Sequence, residues 1–199
     1  MALAYVSHHG CSTRVLTLMP YSKDVTCTSC GKPLLADTEL PRAITDIPSP
    51  FAMQRDTSCS ILIKPTNGSF MSHRLGENLH VGVSDRESVV YSYAANGVSL
   101  EPSGWDMTLI VFRLNAITLN ETLRSFLSDH AHYFTRDSYR ENGWNCFDFV
   151  IHFLAFAKLG RHSKAEFTRQ FVTGPLRSAH RYTALVRKVV DNGPVIVNA

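Results

Sequence analysis

Apolar and polar positions alternate in the middle of the chain, and this alternation predicts β-strands. The runs are short and rich in Val, Ile and Tyr, and turn residues such as Pro, Asn, Gly and Asp separate them. The predicted strands cover residues 60–64, 79–83, 88–93 and 107–114, with a shorter one after Gly97. Because only a few polar residues separate 79–83 from 88–93, we expect these two strands to form an antiparallel hairpin.

After residue 114 the apolar spacing changes to that of an amphipathic helix. Helices are predicted at 120–134, from residue 146 onward, at 164–172 and at 177–193, followed by a last short strand at 194–197. A run of strands followed by a run of helices is typical of the α+β class. We therefore expect an antiparallel sheet with helices packed on it.

The patterning divides the chain into three regions. Residues 1–35 contain three cysteines and two histidines, and they predict a small zinc-knuckle-like module. Between Cys11 and Cys27 the segment RVLTLMPYSK can form a hairpin. Residues 36–58 are punctuated by Pro and Asp and show little periodicity, which predicts a connector. Residues 59–199 hold most of the predicted strands and all the predicted helices, and we expect them to form the main α+β domain.

Composition places the chain among globular proteins. Of its 199 residues, 44% are hydrophobic and 19% are charged, which is enough to bury a core. The net charge of +3 is small and the basic residues are scattered, so we expect no nucleic-acid partner. No apolar run reaches the length of about 18 residues that a membrane-spanning helix needs, and we expect no such helix.

Cysteine usage indicates the compartment. The chain has five cysteines, an odd number, and its N-terminus lacks the charged leader and apolar core of a secretory signal. Reduced thiols in such a chain are typical of a reducing environment. We therefore expect the protein in the cytosol or the nucleus.

Cys146 stands at the start of the predicted helix that follows residue 145. Asn145 is a favourable N-cap residue, and Asp148 at the third helical position suits the positive end of the helix dipole. A thiol at that end can have a lowered pKa and act as a nucleophile. Cys146 also lies on the apolar stripe of the helix, and cysteine is among the residues most often buried in cores. From the residues alone both interpretations stay open.

His80 is the candidate general base for such a nucleophile. It lies in a predicted strand, on the face opposite Val81 and Val83. In a Cys–His mechanism Cys146 would attack a carbonyl carbon, His80 would accept the thiol proton, and the helix N-terminus would stabilise the oxyanion. Such sites commonly use a third polar residue to orient the histidine. The candidates on and near the next strand are Tyr91, Ser92, Tyr93, Asn96 and Asp106.

Cysteine spacing predicts a metal site within residues 1–35. Cys27 and Cys30 have the two-residue separation of a zinc knuckle, and a glycine follows the second cysteine. A closed structural zinc site needs four ligands. Cys11 and one histidine, either His9 or in its place His8, complete a tetrahedral Cys₃His set for a structural Zn²⁺. The alternatives for the cysteine pair are surface thiols or a redox pair.

The two catalytic candidates carry a resemblance to a known group. HVGVSDRESVVYSY, residues 80–93, combines a strand histidine, a glycine two residues later and a following hairpin, and NCFDFV, residues 145–150, places a cysteine at a helix start. With the histidine before the cysteine, this order resembles circularly permuted papain-like proteins, the group of the PPPDE and lecithin-retinol-acyltransferase-like proteins. The resemblance implies a permuted papain-like fold with Cys146 and His80 as the catalytic pair.

A longer series of blocks resembles the makorin-2 opposite-strand protein family. The blocks CTSCGKPL, IPSPF, ILIKPTNGSF, LHVGVSD, VVYSY and NCFDFVIHFL occur in this order between residues 27 and 154. The family name refers to a gene position, so the resemblance implies no established activity. We therefore expect a non-catalytic interaction or binding protein with an unidentified protein partner. The alternative is a cysteine hydrolase or acyltransferase that acts on an isopeptide, a thioester or an ester.

Overall fold

The computed structural model describes residues 2–20, 25–34, 42–115 and 117–198. It divides the chain into two compact units, one of Met1–Pro50 with His180–Ala199 and one of Phe51–Ala179. The described strands pair in antiparallel sheets and are accompanied by helices, so the predicted α+β class is confirmed. The domain boundaries expected near residues 35 and 58 stay a prediction.

Strands fill most of the first half of the chain, and helices fill most of the second. The strands are β1 (Ala2–His8), β2 (Thr13–Met19), β3 (Arg42–Ile47), β4 (Ser60–Pro65), β5 (Leu79–Ser84), β6 (Val90–Ala94), β7 (Gly97–Glu101), β8 (Leu109–Arg113) and β9 (Val195–Asn198). The α-helices are α1 (Leu119–His130), α2 (Cys146–Phe156), α3 (Lys164–Phe167) and α4 (Thr173–Asn192), with a π-helical turn at Thr168–Val172 and 3₁₀ turns at Gln54–Asp56, Ala131–Tyr133 and Arg136–Ser138. None of the helices in these described ranges combines the length and the apolar character that a membrane span requires.

The first unit is built on a sheet whose described strands have the order β3-β1-β2-β9. The register lines up one apolar row across all of them, formed by Ile44, Val6, Val15 and Ile196. The two central side chains of this row are fully buried, whereas the outer two are 53% and 42% exposed. On the opposite face Leu3 and Leu16 pack with Val189 from the end of α4.

The second unit is built on a sheet whose described strands have the order β7-β6-β5-β4-β8. Alternate residues of β4 and β5 point to its two faces. One face joins the helices in the main core through Ile61, Ile63, Val81 and Val83. The other face carries a smaller buried cluster of Leu62, Val90 and Trp105. Helix α2 packs on the first of these faces, because Phe149 and Phe153 belong to the main core, as the sequence predicts.

The predicted hairpin between β5 and β6 is confirmed. Gly82 pairs with Ser92 in antiparallel register. Asp85 holds the connecting turn, because its carboxylate accepts hydrogen bonds from the backbone N–H groups of Glu87 and Val89, each at 2.9 Å. This turn fixes the register of β5, which carries His80, against β6, which carries Ser92.

Among the described strands, β1 and β3 lie where the sequence pattern predicts none. Leu3 and Ala4 are both fully buried, so β1 lacks the alternation that marks a strand with one exposed face. β3 lies in the predicted connector 36–58 and pairs with β1, while residues 35–41 lie outside the described residues. A partner strand more than thirty residues away along the chain leaves no local pattern in the sequence.

Candidate functional site

The predicted metal ligands meet at one place in the first unit. Within the described ranges, the ligand atoms of His8, Cys11, Cys27 and Cys30 all lie within 4.8 Å of one another. His8 rather than His9 supplies the imidazole, because His8 is buried at the end of β1 whereas His9 is exposed in the following turn. The convergence expected from the cysteine spacing is therefore confirmed, with the histidine assigned to His8.

A tight turn between β1 and β2 places the first two of these residues. Gly10 has a φ of +78°, a conformation that residues with a side chain rarely adopt. The N–H of Cys11 donates to the His8 carbonyl at 3.3 Å. The turn therefore carries Cys11 back beside the histidine that ends the preceding strand.

A second turn, within residues 25–34, places the other two cysteines. Thr26 and Pro33 form an isolated antiparallel bridge that closes the turn. Inside it, Gly31 has a φ of +71° and donates its N–H to the Cys27 carbonyl at 2.8 Å. This turn reverses the chain after Cys27 and brings the sulfur of Cys30 close to the sulfur of Cys27.

The ring of His8 is held in one tautomer. Its Nε2 lies 3.1 Å from the carbonyl oxygen of Pro33, and Nε2 must carry the proton because a carbonyl only accepts. Nδ1 therefore keeps its lone pair and lies 3.4 Å from the Cys30 sulfur. Metal-binding histidines typically have this arrangement, in which the second ring nitrogen donates to a backbone carbonyl and fixes the ring orientation.

The thiols of the cluster differ in how readily they lose a proton. Burial opposes the ionisation of Cys27, but hydrogen bonds from the backbone N–H groups of Cys30 and Ser29 outweigh it and lower its pKa to about 6. Burial and the neighbouring Cys30 and Cys27 raise the pKa of Cys11 to about 11. One thiolate therefore forms readily and opposes the formation of another. A divalent cation would remove that opposition by compensating both charges.

The strands under the cluster support it by packing and by hydrogen bonds. The small buried core beside the sulfur of Cys27 also contains Val6, Val15 and Leu34. Thr13, at the start of β2, has its Oγ1 2.9 Å from the hydroxyl of Ser29, and the Ser29 N–H donates to the same oxygen at 3.2 Å. These contacts fasten the second turn to the sheet.

The donor set fits a zinc ion. Three cysteine sulfurs and one imidazole nitrogen form a common structural zinc set. In a tetrahedral site with Zn–S bonds of about 2.3 Å, neighbouring sulfurs lie about 3.8 Å apart, and the observed ligand atoms lie within 4.8 Å. All the cysteines are free thiols. The residues can therefore close around one ion after small adjustments.

Cys146 begins α2 behind a well-formed cap, as predicted. The Asn145 side chain accepts from the N–H of Phe147 at 3.0 Å, and the Asp148 carboxylate accepts from the N–H of Asn145 at 2.6 Å. The residue is only 4% exposed, and its sulfur lies 3.9 Å from the Leu79 carbonyl oxygen. Burial raises the pKa of Cys146 and outweighs the backbone N–H groups beside the sulfur. The helix N-terminus therefore does not produce a ready thiolate here.

His80 belongs to a polar network on the second sheet. Its Nε2 lies 3.0 Å from the Ser92 hydroxyl, which in turn donates to Glu101 at 2.5 Å, so His80 is the donor to Ser92. The ring of Trp105 lies 5.4 Å from the imidazole, and its indole N–H donates to Glu101 at 3.0 Å. Burial and then the charge of Lys64 lower the pKa of His80 to about 4. The imidazole is therefore neutral near pH 7.

The thiol of Cys146 and the imidazole of His80 lie against opposite faces of β5. Cys146 belongs to the core that contains Val81 and Val83, whereas the imidazole contacts Trp105 on the other face. Both residues line a cleft of about 250 Å³, but no hydrogen bond joins them in the part of the chain that the structure describes. Since successive residues of a strand point to opposite sides, the imidazole has its described partner on the Trp105 face, and the catalytic pairing of Cys146 with His80 stays a prediction.

Of the five candidates for a third residue that orients the histidine, Ser92 is the one with a described hydrogen bond to His80. Ser92 contacts His80, whereas Asp106 accepts a hydrogen bond from the backbone of Gln54 at 2.9 Å. The described hydrogen bonds of His80 include none to Tyr91, Tyr93 or Asn96. Glu101, the carboxylate at the centre of the network, is not among the residues predicted from the sequence. The polar residues that alternate along β7 are the pattern that could have indicated it.

Comparison with known proteins identifies the family. The chain belongs to the family described as DUF4796 C-terminal, whose model matches residues 44–189. That region contains His80 and Cys146 and begins after the four residues of the metal cluster. The MKRN2 opposite strand protein of Homo sapiens is 29% identical over 176 residues, which cover 84% of this chain and 78% of that protein. The resemblance to the makorin-2 opposite-strand family is thereby confirmed. No solved structure matches the chain.

Proposed function

We propose that the protein binds one structural zinc ion through His8, Cys11, Cys27 and Cys30. The observation that carries this proposal is the approach of the four ligand atoms to within 4.8 Å of one another. The Nδ1 lone pair of His8 faces the sulfurs, because its Nε2 is engaged by a backbone carbonyl. With four protein ligands no coordination position is left for a substrate, which is the property of structural rather than catalytic zinc sites.

We also propose that the protein acts by binding another protein rather than by catalysis. Two observations support this role: the Cys146 thiol is buried with a raised pKa, and the imidazole of His80 is tied to Ser92 on the opposite face of the strand. The zinc ion would fix the surface of the first unit for such a partner. The cytosol or the nucleus is the proposed compartment, because cysteine ligands stay reduced there. A nucleic-acid partner is not proposed, since the net charge is only +3.

Metal analysis tests the zinc site. Protein purified without a histidine tag should contain about one zinc ion per chain. His8→Ala and Cys27→Ser should lose the ion, whereas His9→Ala should keep it and serves as the matched control. Wild-type protein that takes up no zinc after reduction and zinc addition contradicts the proposal. Loss of zinc in His9→Ala without loss in His8→Ala contradicts the assignment of the ligand.

Affinity purification from cell extract tests the binding role. The wild-type protein should recover a protein partner that Cys27→Ser does not recover, because the variant lacks the ion that orders the first unit. His9→Ala should recover it as well as the wild type does. Equal recovery by wild type and Cys27→Ser would show that the zinc site does not shape the binding surface.

A cysteine hydrolase or acyltransferase with a permuted papain-like fold is the second candidate function. It is favoured by the cleft of about 250 Å³ that Cys146, His80 and Asn145 line together. In this function the thiol would form the covalent intermediate and the imidazole would accept its proton. It requires the imidazole to leave Ser92 and reach the other face of β5. The reactivity of the Cys146 thiol therefore separates the two functions.

A further inference from the structure

The sulfurs of the metal cluster differ in their access to solvent. Cys27 is 0% exposed and packs with Val6 and Val15 in the small core of the first unit. Cys11 is half-buried, and Cys30 is exposed in the turn of residues 28–30. A small dissolved oxidant therefore reaches Cys30 before the other two thiols.

We propose that hydrogen peroxide oxidises this site at Cys30, links Cys30 to Cys11 as a disulfide and so releases the zinc ion. The inference rests on the proposed zinc site and adds its regulation. Cys11 is the partner because its sulfur lies within 4.8 Å of Cys30 and because Cys11 is half-buried rather than enclosed in the core. Cys27 is less free to move, since its sulfur accepts hydrogen bonds from backbone N–H groups and is enclosed by the core.

The reaction is a balanced two-electron oxidation. The Cys30 thiolate attacks one peroxide oxygen and the O–O bond breaks, which leaves a sulfenic acid on Cys30 and a hydroxide that takes up a proton to form water. The Cys11 thiolate then attacks the Cys30 sulfur, so that the S–S bond forms and the S–O bond breaks. The second hydroxide also leaves as water. His8 and Cys27 remain as ligands, too few for a closed zinc site, and a dithiol reductant reverses the change.

Treatment of the zinc-loaded full-length protein with hydrogen peroxide tests the inference. A chromogenic chelator should report loss of the bound zinc, and peptide mapping by mass spectrometry should find a disulfide between Cys11 and Cys30. Dithiothreitol followed by zinc should restore the metal content. Retention of zinc under peroxide, or a disulfide between Cys27 and Cys30, overturns the inference and leaves the zinc site standing. Protein that never binds zinc overturns the proposed function itself.

Two variants sharpen the test. Cys30→Asp keeps an oxygen ligand for the ion but removes the sulfur that peroxide meets first, so it should bind zinc and resist its release. Cys146→Ala removes a thiol outside the cluster and should release zinc as the wild type does. Release from Cys30→Asp at the wild-type rate overturns the inference. If Cys30→Asp does not bind zinc, the position of the disulfide in the wild-type protein still decides.

Discussion

At the scale of single residues, side-chain direction decides what Cys146 and His80 can do. The sequence correctly predicts a cysteine at the first position of a capped helix and a histidine opposite Val81 and Val83. It does not show which face of β5 the helix covers. In the structure α2 packs against the face of β5 that carries Val81 and Val83, because burial of apolar side chains stabilises the fold. The imidazole is therefore left on the side away from the thiol.

The Cys146 thiol should be unreactive. Iodoacetamide near neutral pH should label it no faster than Cys59, because burial raises the pKa of both thiols and alkylation needs the thiolate. His80→Ala should leave the labelling rate of Cys146 unchanged. Mass spectrometry of labelled peptides measures both rates. Faster labelling of Cys146 than of Cys59, slowed by His80→Ala, would restore the hydrolase as the favoured function.

Neutral His80 should make the protein less stable in acid. Its pKa falls from 6.5 to about 4 on folding, so between these values the unfolded chain binds a proton that the folded chain does not. The free energy of unfolding should therefore have its full value above the pKa that His80 has in the unfolded chain. It should fall as the pH drops towards the pKa of His80 in the folded protein. At about 1.4 kcal/mol per pKa unit, the free energy of unfolding should fall by about 3 kcal/mol in total once the pH is below both pKa values.

Urea denaturation across this pH range measures the effect. His80→Gln keeps an N–H donor for Ser92 and should lose this part of the pH dependence. Burial also lowers the pKa of His152, which acts in the same direction, so the difference between wild type and variant isolates His80. Equal pH slopes for the two proteins would show that the half-buried His80 is not neutral in the folded protein.

At the scale of elements, the sequence predicts those strands and helices whose two faces differ. β4, β5 and β8 alternate or carry β-branched runs, and α1 and α2 show helical spacing, so their types and approximate positions were predictable. β1 is buried on both faces and β3 depends on a distant partner, so neither has a local pattern. Gly82, the glycine two residues after His80, is required by packing as well, because β5 approaches β6 and Trp105 closely at this position.

Substitution of Gly82 should therefore destabilise the sheet. A Cβ atom at this position would lie 2.6 Å from Cγ1 of Val90, 3.0 Å from the Tyr91 carbonyl oxygen and 3.1 Å from the Trp105 ring. Since the backbone oxygen cannot move aside cheaply, Gly82→Ala should cost about 1–3 kcal/mol of unfolding free energy. Gly174→Ala is the matched control, because nothing lies within 4 Å of its Cβ position. Equal unfolding midpoints in urea for the two variants would contradict the close packing.

At the scale of the whole molecule, the first unit combines distant parts of the chain. β9 pairs with β2 through contacts such as Val15 with Ile196, a pairing that no sequence pattern indicates. The metal cluster, by contrast, was predictable, because the spacing of Cys27 and Cys30 is itself a signal. The choice between His8 and His9 was not, since it depends on which of them the end of β1 turns towards the cysteines.

Removal of the zinc ion should loosen the first unit selectively. The ion would tie the turn at Cys11 to the turn at residues 27–30, and a structural ion contributes its binding free energy to the fold that holds it. Hydrogen exchange after chelation should therefore quicken in residues 2–19 and 25–34, because local opening there becomes cheaper. Exchange in β4 to β8 should change little, since their core contains none of the four ligands.

Cys27→Ser is the control for the chelator. This variant should show the faster exchange without a chelator, and addition of a chelator should not change its exchange further. Unchanged exchange in both regions after proven loss of zinc would mean that the ion is not structural.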